Sequence, residues 1–509
     1  MTNVVLIVCD DMGYSDLGSY GGELDTPAVD GLAHDGVRLS QFYNTARCSP
    51  SRASLLTGLH PHQTGVGVLA QGLDDRPDGY QGHLNDRCTT VAEILKRHGY
   101  RTALTGKWHL ARSAHEPDDT WPTRRGFDEF YGTLVGAGSY FEPNTLTRGE
   151  RSVEHEAQEP GFYYSDAITS EACGFIERTP SPFFLYVAYT APHWPLHAWE
   201  EDIAKYDGVF DDGWDVLRAR RLRRLTELGL LDERAQLSPR DDRVPPWEHD
   251  AWQTRRMQAY AAQIDRMDQG IARIVGALRE RGVLDDTLLL FVSDNGASDE
   301  ELPKARFEER SDILPPRARI GNSPAIEPGG RDTFASYGVG WANLSNAPFR
   351  LYKRWVHEGG IATPLVVHWP NGNLHAGGVS HAMFQLTDVL PTILEAAGVE
   401  GPELAGRSML PALRGEDVEP RPLFWEHTGN AAVRLGDWKL VRGFGGDWEL
   451  YSMELDRTEL ADLAADEPAV VQELEELWRA WADRSDVIPW QRVLDLYARR
   501  GETEEDAWM

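Results

Sequence analysis

The chain has 509 residues, with 51 Lys and Arg against 81 Asp and Glu, so its formal net charge is −30. This acidic balance argues against a nucleic-acid partner, which requires a basic surface. Its content of 41% apolar and 10% aromatic residues is that of a soluble globular protein and excludes collagen-like, coiled-coil and disordered chains.

Predicted strands and helices alternate over most of the chain. Val4–Val8 is a short, continuous, β-branched apolar run, which is typical of a strand buried on both faces of a parallel sheet. Thr26 and Pro27 are residue types preferred at the N-cap and first position of a helix. The other elements predicted in this part are strands at Tyr100–Thr105, Phe183–Ala188 and Leu288–Val292, and helices from Thr90 to Gly99, near Asp215–Leu231 and at Ile264–Leu278.

The C-terminal part of the chain has a different pattern. Short apolar runs are joined there by Gly-rich turns, as in an antiparallel sheet, and one amphipathic helix follows. We therefore predict an α/β domain over residues 1–415, with a large, mostly parallel sheet flanked by helices, and a small α+β domain over residues 416–509. The strands predicted in the second domain are Leu423–Trp425, Ala432–Leu435, Lys439–Arg442 and Glu449–Tyr451, and the helix presents Val470, Leu474, Leu477 and Trp481 on its inner face.

Several features bear on the compartment. No apolar run approaches the ~18 residues of a membrane helix, so we expect no membrane partner. The four cysteines are far apart and form no CxxC pair, which argues against disulfides or structural zinc and favours a reducing compartment. The first residues resemble no signal peptide. We expect a cytoplasmic protein as the chain is written, or a secreted or periplasmic one if a leader has been removed.

Two pairs of oxygen-bearing side chains each follow a predicted buried strand. Asp10 and Asp11 follow Val4–Val8, and Asp294 and Asn295 come shortly after Leu288–Val292. Ligands of open parallel sheets gather at the carboxyl ends of the strands, so we expect the two pairs to meet. Three carboxylates and an amide suit Ca²⁺ and are poor ligands for zinc. The alternative is a pair of solvated acidic loops.

The sharpest local motif is CSPSR, from Cys48 to Arg52. Only about 0.02 matches to CxPxR are expected by chance in a chain of this composition. Pro50 suits the first position of a helix, so we predict Cys48 just before a helix N-terminus, where negative charge is favoured. Arg52 adds a guanidinium group that matches a tetrahedral oxyanion. A lone cysteine is more often a small buried apolar residue, but its neighbours here favour a functional role.

Lys107 and His109 are the next candidates. They follow the predicted strand Tyr100–Thr105 and are two residues apart, so an extended backbone would direct both side chains to the same side. The chain has only six lysines. We interpret Lys107 as a group that neutralises an anion and His109 as a base, although such residues are more often surface charges or buried imidazoles.

The segment CSPSRASLLTG resembles the signature of the type I sulfatases of the alkaline-phosphatase superfamily. The second signature of that family is matched by GYRTALTGKWH, which ends at His109. Further similar blocks occur in the family's order over residues 4–370, and the Tyr206–Leu231 segment is similar to the bacterial arylsulfatases. These further blocks are the acidic pair after the first strand, Ala191–Pro195, Ser293–Gly296 and Pro348–Gly360.

The resemblance implies an alkaline-phosphatase-like fold and the hydrolysis of sulfate monoesters, with a small-molecule or carbohydrate sulfate ester as substrate. It also implies that a maturation enzyme converts Cys48 to formylglycine, whose hydrate attacks sulfur and provides the fifth ligand of one Ca²⁺ ion. His109 then removes a proton so that sulfate leaves, and His193 assists the leaving group. The implied catalytic residues are Cys48, Arg52, Lys107, His109, His193 and Lys353, and the implied metal ligands are Asp10, Asp11, Cys48, Asp294 and Asn295.

Two other functions are compatible with the motifs. A phosphoric or phosphonic monoester hydrolase of the same superfamily would use similar oxyanion and metal chemistry. A sulfated-ligand binding protein without turnover would result if Cys48 stays a thiol. Aryl, alkyl, steroid and sugar sulfates are all open as substrates, and Trp108, Trp194 and Trp341 are candidates for stacking on a ring.

Overall fold

The computed structural model describes residues 1–70, 76–303, 313–314, 317–501 and 503. Its main feature is a ten-stranded mixed sheet, and a separate four-stranded sheet lies in the C-terminal part. The described strands are β1 (Asn3–Cys9), β2 (Val37–Leu39), β3 (Phe42–Tyr43), β4 (Arg101–Gly106), β5 (Glu129–Thr133), β6 (Leu146–Arg148), β7 (Arg151–Ser152), β8 (Phe183–Ala188), β9 (Thr287–Ser293), β10 (Arg319–Ile320), β11 (Thr333–Phe334), β12 (Leu365–His368), β13 (Gly378–Ser380), β14 (Phe384–Gln385), β15 (Leu423–His427), β16 (Asn430–Leu435), β17 (Trp438–Arg442) and β18 (Glu449–Ser452).

The large sheet has the order β13-β2-β12-β9-β1-β8-β4-β5-β6-β7. Its centre, β9-β1-β8-β4-β5, is parallel, whereas β12 and the β6-β7 edge are antiparallel to their neighbours. All seven residues of β1 are buried, which confirms the strand predicted at Val4–Val8. The predicted large, mostly parallel sheet is therefore confirmed.

Helices cover both faces of the sheet. Val5 and Ile7 of β1 pack on the side of the helices that begin at Pro27, Tyr164 and Ala251. Val4, Leu6 and Val8 pack on the side of the helices that begin at Cys48, Val91 and Val389. This alternation is the strand period of two, with apolar residues at every position. The described helices are α1 (Pro27–Asp35), α2 (Cys48–Thr57), α3 (Val91–Arg97), α4 (Tyr164–Arg178), α5 (Glu200–Ala204), α6 (Gly213–Glu227), α7 (Ala251–Glu280), α8 (Gly338–Ser345), α9 (Glu358–Ile361), α10 (Val389–Ala397), α11 (Leu410–Leu413), α12 (Pro468–Arg484) and α13 (Trp490–Arg499).

The helix predicted to start at Thr90 is confirmed as α3, which has Thr90 as its N-cap and begins with a capping box. The Glu93 N–H donates to Thr90 Oγ1 at 3.1 Å, and the Thr90 N–H donates to Glu93 Oε2 at 2.7 Å. At α1, the Thr26 side chain makes no such bond. The N–H groups of Ala28 and Val29 instead donate to the Asp268 carboxylate of α7, both at 2.9 Å. A distant residue thus caps a helix whose start the local sequence correctly predicts.

The C-terminal sheet is antiparallel, with the order β15-β16-β17-β18. Helix α12 packs on it through Leu474 and Trp481, and the Trp481 ring stacks on Phe424 with centroids 5.2 Å apart. The small α+β unit is thus confirmed, although a second helix, α13, follows the one that was predicted, and the division of the chain at residue 415 stays a prediction. Among the described helices, none combines the length and apolar character needed to cross a membrane.

Candidate active site

The two predicted oxygen-bearing pairs meet at one edge of the large sheet. β1 and β9 are adjacent and parallel, with Cys9 beside Ser293, so the residues after each strand emerge side by side. The Asn295 amide donates to Asp11 Oδ1 at 2.6 Å, and the Asp11 N–H donates to Asp294 Oδ1 at 3.3 Å. Asp11 has a φ of 69°, a left-handed conformation that is costly and concentrated at functional sites. The predicted meeting of these four side chains is confirmed.

These oxygen donors have the chemistry of a hard-cation site. Asp10, Asp294 and Asn295 are at most 1% exposed. Two of their acceptor atoms, Asp10 Oδ1 and Asn295 Oδ1, are buried and have no hydrogen-bond partner among the described residues. Burial and the neighbouring Asp10 raise the pKa of Asp294 to about 7, because close carboxylates repel each other in a desolvated site. A bound cation would coordinate the unpartnered oxygens and reduce the repulsion between the carboxylates, so the residues present fit Ca²⁺.

Three cationic side chains surround the acids. Lys107 Nζ donates to Asp10 Oδ2 at 2.5 Å and Lys353 Nζ to Asp11 Oδ2 at 2.8 Å. Arg52 Nε donates to Asp294 Oδ2 at 3.0 Å, and its Nη2 lies 3.8 Å from Asp10 Oδ2. Although burial raises the pKa of the Asp10 carboxyl, the Lys107 ammonium group holds it well below its usual range.

Cys48 lies beside this group and begins α2. The helix starts at Cys48 itself with Arg47 as its N-cap, so the prediction that Cys48 precedes the helix and Pro50 starts it was wrong by two residues. Burial raises the pKa of the Cys48 thiol. Its Sγ is 3.9 Å from Asp11 Oδ1. Possible ligand atoms of Cys48, Asp10, Asp11 and His193 all lie within 4.8 Å of one another.

His193 also reaches this centre. Its Nδ1 lies 2.7 Å from the Trp194 carbonyl oxygen, an acceptor, so Nδ1 carries a proton and Nε2 faces the site. Nε2 is 3.4 Å from Lys353 Nζ and 3.4 Å from Asp11 Oδ2. Burial lowers the pKa of His193, with Asp11 opposing the shift.

His109 is brought to the site by a different backbone from the one expected. β4 ends at Gly106, and His109 has a φ of 57°, so the extended backbone assumed for Lys107 to His109 is wrong. Burial and then the Lys107 charge lower the pKa of His109, which indicates that the two groups are near each other. A Cβ atom on Gly136 would lie 2.2 Å from the imidazole Cε1, so glycine at that position lets the loop pack on the ring.

The loop that carries Lys353 and the short helix α9 after it are held against the Asn295 loop by close backbone contact, and the Lys353 N–H donates to the Ala297 carbonyl at 3.0 Å. The Gly296 N–H donates to the Gly360 carbonyl at 3.1 Å, and a Cβ on Gly296 would lie 2.0 Å from the Gly359 carbonyl oxygen. Only glycine permits this approach. Distant parts of the chain are thereby fixed around one centre.

Other residues near the centre were not predicted. Arg47 and Glu300 form an ion pair of 3.0 Å, and Glu300 also lies 3.7 Å from Lys353 Nζ. Glu300 belongs to the acidic run Asp299–Glu301, in which no sequence signal distinguishes it from a solvated acid. Trp194 lies beside the centre, whereas Trp108 and Trp341 are fully buried, so their suggested role in stacking on a substrate was wrong.

A buried cysteine, a hard-cation donor set and three cations at the carboxyl edge of an α/β sheet define a hydrolase site for a tetrahedral oxyanion ester. The family model for sulfatases matches residues 2–399. A second model, for the C-terminal part of N-sulphoglucosamine sulphohydrolase, matches residues 349–483. The chain belongs to the sulfatase family and is a hydrolase of sulfate esters.

Curated relatives agree with this assignment. An uncharacterized sulfatase of Schizosaccharomyces pombe is 34% identical, covering 96% of this chain and 94% of its own length. An arylsulfatase of Klebsiella aerogenes is 34% identical over 81% of this chain and 90% of its own. A mouse steryl-sulfatase is 30% identical over 86% of this chain and 69% of its own.

Solved structures share the fold. One, in complex with k-i-k-neocarrahexaose, has a TM-score of 0.67 at 25% identity and covers 94% of this chain and 92% of its own. Another, in complex with its substrate D-glucosamine-2-N,6-O-disulfate, has a TM-score of 0.67 at 21% identity and covers 96% and 99%. A phosphonate monoester hydrolase of Agrobacterium radiobacter has a TM-score of 0.61 at 21% identity, covering 95% and 96%.

Proposed function

We propose that this sulfatase cleaves sulfate monoesters with a nucleophile made from Cys48, beside one calcium ion. The observation that carries the proposal is the convergence of Cys48 with the two oxygen-bearing pairs, its Sγ 3.9 Å from Asp11 Oδ1. Oxidation of Cys48 to formylglycine would supply, once hydrated, two hydroxyl groups on one carbon, one to attack sulfur and one to lose a proton as sulfate departs.

The ligands of the metal would be Asp10, Asp11, Asp294 and Asn295, together with position 48. Bound calcium would stabilise negative charge on the sulfuryl group and on the attacking oxygen. The unpartnered Asp10 Oδ1 and Asn295 Oδ1 support this assignment because neither oxygen has another partner among the described residues. Lys107 holds the Asp10 carboxylate in place by an ion pair, and Arg52 holds the Asp294 carboxylate in the same way.

Three cations of the chain would bind the sulfate group. Arg52, Lys107 and Lys353 are each at most 2% exposed, so their charges act in a site with little water. Positioned cations of this kind stabilise the charge of the transition state without having to reorganise. Lys353 is the one that also contacts His193, at 3.4 Å, so we assign it to the side of the leaving group.

The two histidines would move protons at different steps. His193 presents Nε2 beside Lys353 and Asp11, and its doubly protonated form, which the Asp11 charge favours, would give the Nε2 proton to the departing ester oxygen. His109, whose pKa burial keeps below its usual value, would be a neutral base that takes the proton needed to release sulfate from position 48. His109 Nδ1 has no hydrogen-bond partner in the described residues, so it is available for that proton.

The substrate would be a small-molecule or carbohydrate sulfate ester, and the chain would require a formylglycine-generating maturation enzyme. The curated relatives include an arylsulfatase and a steryl-sulfatase, and the structural relatives include complexes with saccharides. Coexpression with and without a maturation enzyme tests the proposal. Turnover of 4-nitrophenyl sulfate should rise with coexpression, and equal turnover in both preparations, with thiol at position 48, would contradict it.

A further inference from the structure

Glu300 is an acid beside the cations that would bind the sulfate group, and it is not one of the proposed metal ligands. Its Oε1 is 3.0 Å from Arg47 Nη1, and its Oε2 accepts a hydrogen bond of 2.7 Å from Trp194 Nε1. Lys353 Nζ lies 3.7 Å from the same Oε2. Because Trp194 directly follows His193, Glu300 lies on the side of the site where the ester oxygen would depart.

Glu300 has the exposure and bonding capacity to contact a substrate. Its side chain is 15% exposed, whereas the side chain of Lys353 beside it is 3% exposed. A carboxylate has about four acceptor positions, and the contacts with Arg47 and Trp194 use one on each oxygen. Burial raises the pKa of Glu300, but Lys353 and then Arg47 outweigh it and hold that pKa well below its usual value, so Glu300 stays ionised.

The described cations around Glu300 are already paired with acids. Arg47 pairs with Glu300 itself, and Arg354 lies 3.4 Å from Asp299. Arg243 lies 2.8 Å from Asp299 and 2.8 Å from Asp241. A carboxylate on the leaving group would have to displace one of these pairs, whereas a hydroxyl or ammonium group would find acceptor positions on Glu300.

We propose that Glu300 determines specificity by accepting a hydrogen bond from a hydroxyl or ammonium group of the leaving alcohol or phenol, and by disfavouring an anionic substituent there. This inference rests on the proposed function and names its substrate class: sulfate esters with a hydrogen-bond donor near the ester oxygen. Such donors occur in sugar and amino-sugar sulfates.

Three phenyl sulfates that differ at the meta position test the proposal: 3-(aminomethyl)phenyl, 3-(hydroxymethyl)phenyl and 3-carboxyphenyl sulfate. The ratio of kcat/KM for the ammonium ester to that for the carboxylate ester is measured in the wild type and in Glu300→Gln. Comparing the two proteins cancels the intrinsic reactivities of the esters. The ratio should fall about tenfold or more in Glu300→Gln, since one unit charge close to the substituent has been removed.

Glu301→Gln is the matched control because Glu301 is the next residue, is 50% exposed and pairs with Arg256. It should leave the ratio unchanged. Equal slowing of all three esters in Glu300→Gln would overturn the proposal, because Glu300 would then only hold Arg47 and Trp194. Should Glu300→Gln not fold, Glu300→Asp must lower the ratio while keeping the ammonium ester preferred. No turnover of any ester by matured wild type would instead refute the proposed function, and this inference with it.

Discussion

Replacement of His193 by Ala should affect sulfate esters according to the basicity of their leaving groups. Nitrophenolate departs without a proton, whereas the alkoxide of an alkyl or sugar sulfate requires one. The loss of kcat/KM should therefore be modest for 4-nitrophenyl sulfate and large for an alkyl sulfate.

The size of the effect follows from the contacts of the imidazole. Because Nδ1 donates its proton to the Trp194 carbonyl at 2.7 Å, Nε2 is the nitrogen that delivers a proton when the ring is doubly protonated. General acid catalysis contributes about 10² to 10⁴-fold. Lys353 Nζ, 3.4 Å from Nε2, remains in the variant and can deliver a proton in its place. We therefore expect a loss near the lower end, about 10²-fold, for the alkyl ester.

The assay is steady-state release of alcohol or phenol from a series of esters of graded leaving-group basicity. His193→Gln, which fills more of the ring's volume, checks that the empty space left by Ala is not the cause. His109→Ala is the mechanistic control: it should lower kcat of every ester towards one common value and leave kcat/KM unchanged, because sulfate is released after the alcohol has gone. Equal slowing of activated and unactivated esters by His193→Ala would refute the acid role and leave His193 as a group that positions sulfate.

Removal of calcium by EGTA should lower activity and melting temperature together, and added calcium should restore both. Free calcium at 100 times its Kd stabilises the folded protein by about 2.7 kcal/mol, so an unchanged melting temperature would contradict the site. Lys439→Met should lower the free energy of unfolding by about 3–5 kcal/mol, because it removes the ammonium partner of two fully buried carboxylates, Glu358 at 2.9 Å and Glu459 at 2.8 Å, of which Glu358 keeps Arg457 at 3.1 Å. The control Lys96→Met, at a pair whose lysine side chain is 46% exposed, should change the free energy of unfolding by less than about 1 kcal/mol in the same urea titration. Matured protein should hydrolyse 4-nitrophenyl sulfate faster than 4-nitrophenyl phosphate, and the reverse order would favour the phosphohydrolase alternative.

The sequence predicted those parts of the fold and site that depend on local patterns. Continuous apolar runs identify strands buried on both faces, as at β1, and the residues directly after them must emerge at the sheet edge. The meeting of Asp11 with Asn295 follows from that rule once β1 and β9 are neighbours. Site residues that directly follow a strand can therefore be predicted from the sequence.

Residues fixed by long-range packing were not predictable. His109 reaches the site through a left-handed backbone, whereas the sequence suggested a continued strand. Glu300 is distinguished from its acidic neighbours only by its contacts with Arg47 and Trp194, which lie more than 100 residues earlier in the chain. Trp341 was a candidate for stacking on a substrate ring but is fully buried beside Phe210. In each case the role of the residue depends on tertiary contacts, and these contacts leave no pattern in the local sequence.

The state of residue 48 tests the central claim most directly. Matured protein is digested, the peptide that contains position 48 is weighed, and the fraction present as aldehyde is compared with the rate of 4-nitrophenyl sulfate hydrolysis across preparations of graded maturation. We predict that the rate is proportional to the aldehyde fraction and that Cys48→Ala is inactive. Near-normal turnover by a preparation that carries only thiol at position 48, or by Cys48→Ala, would contradict the account.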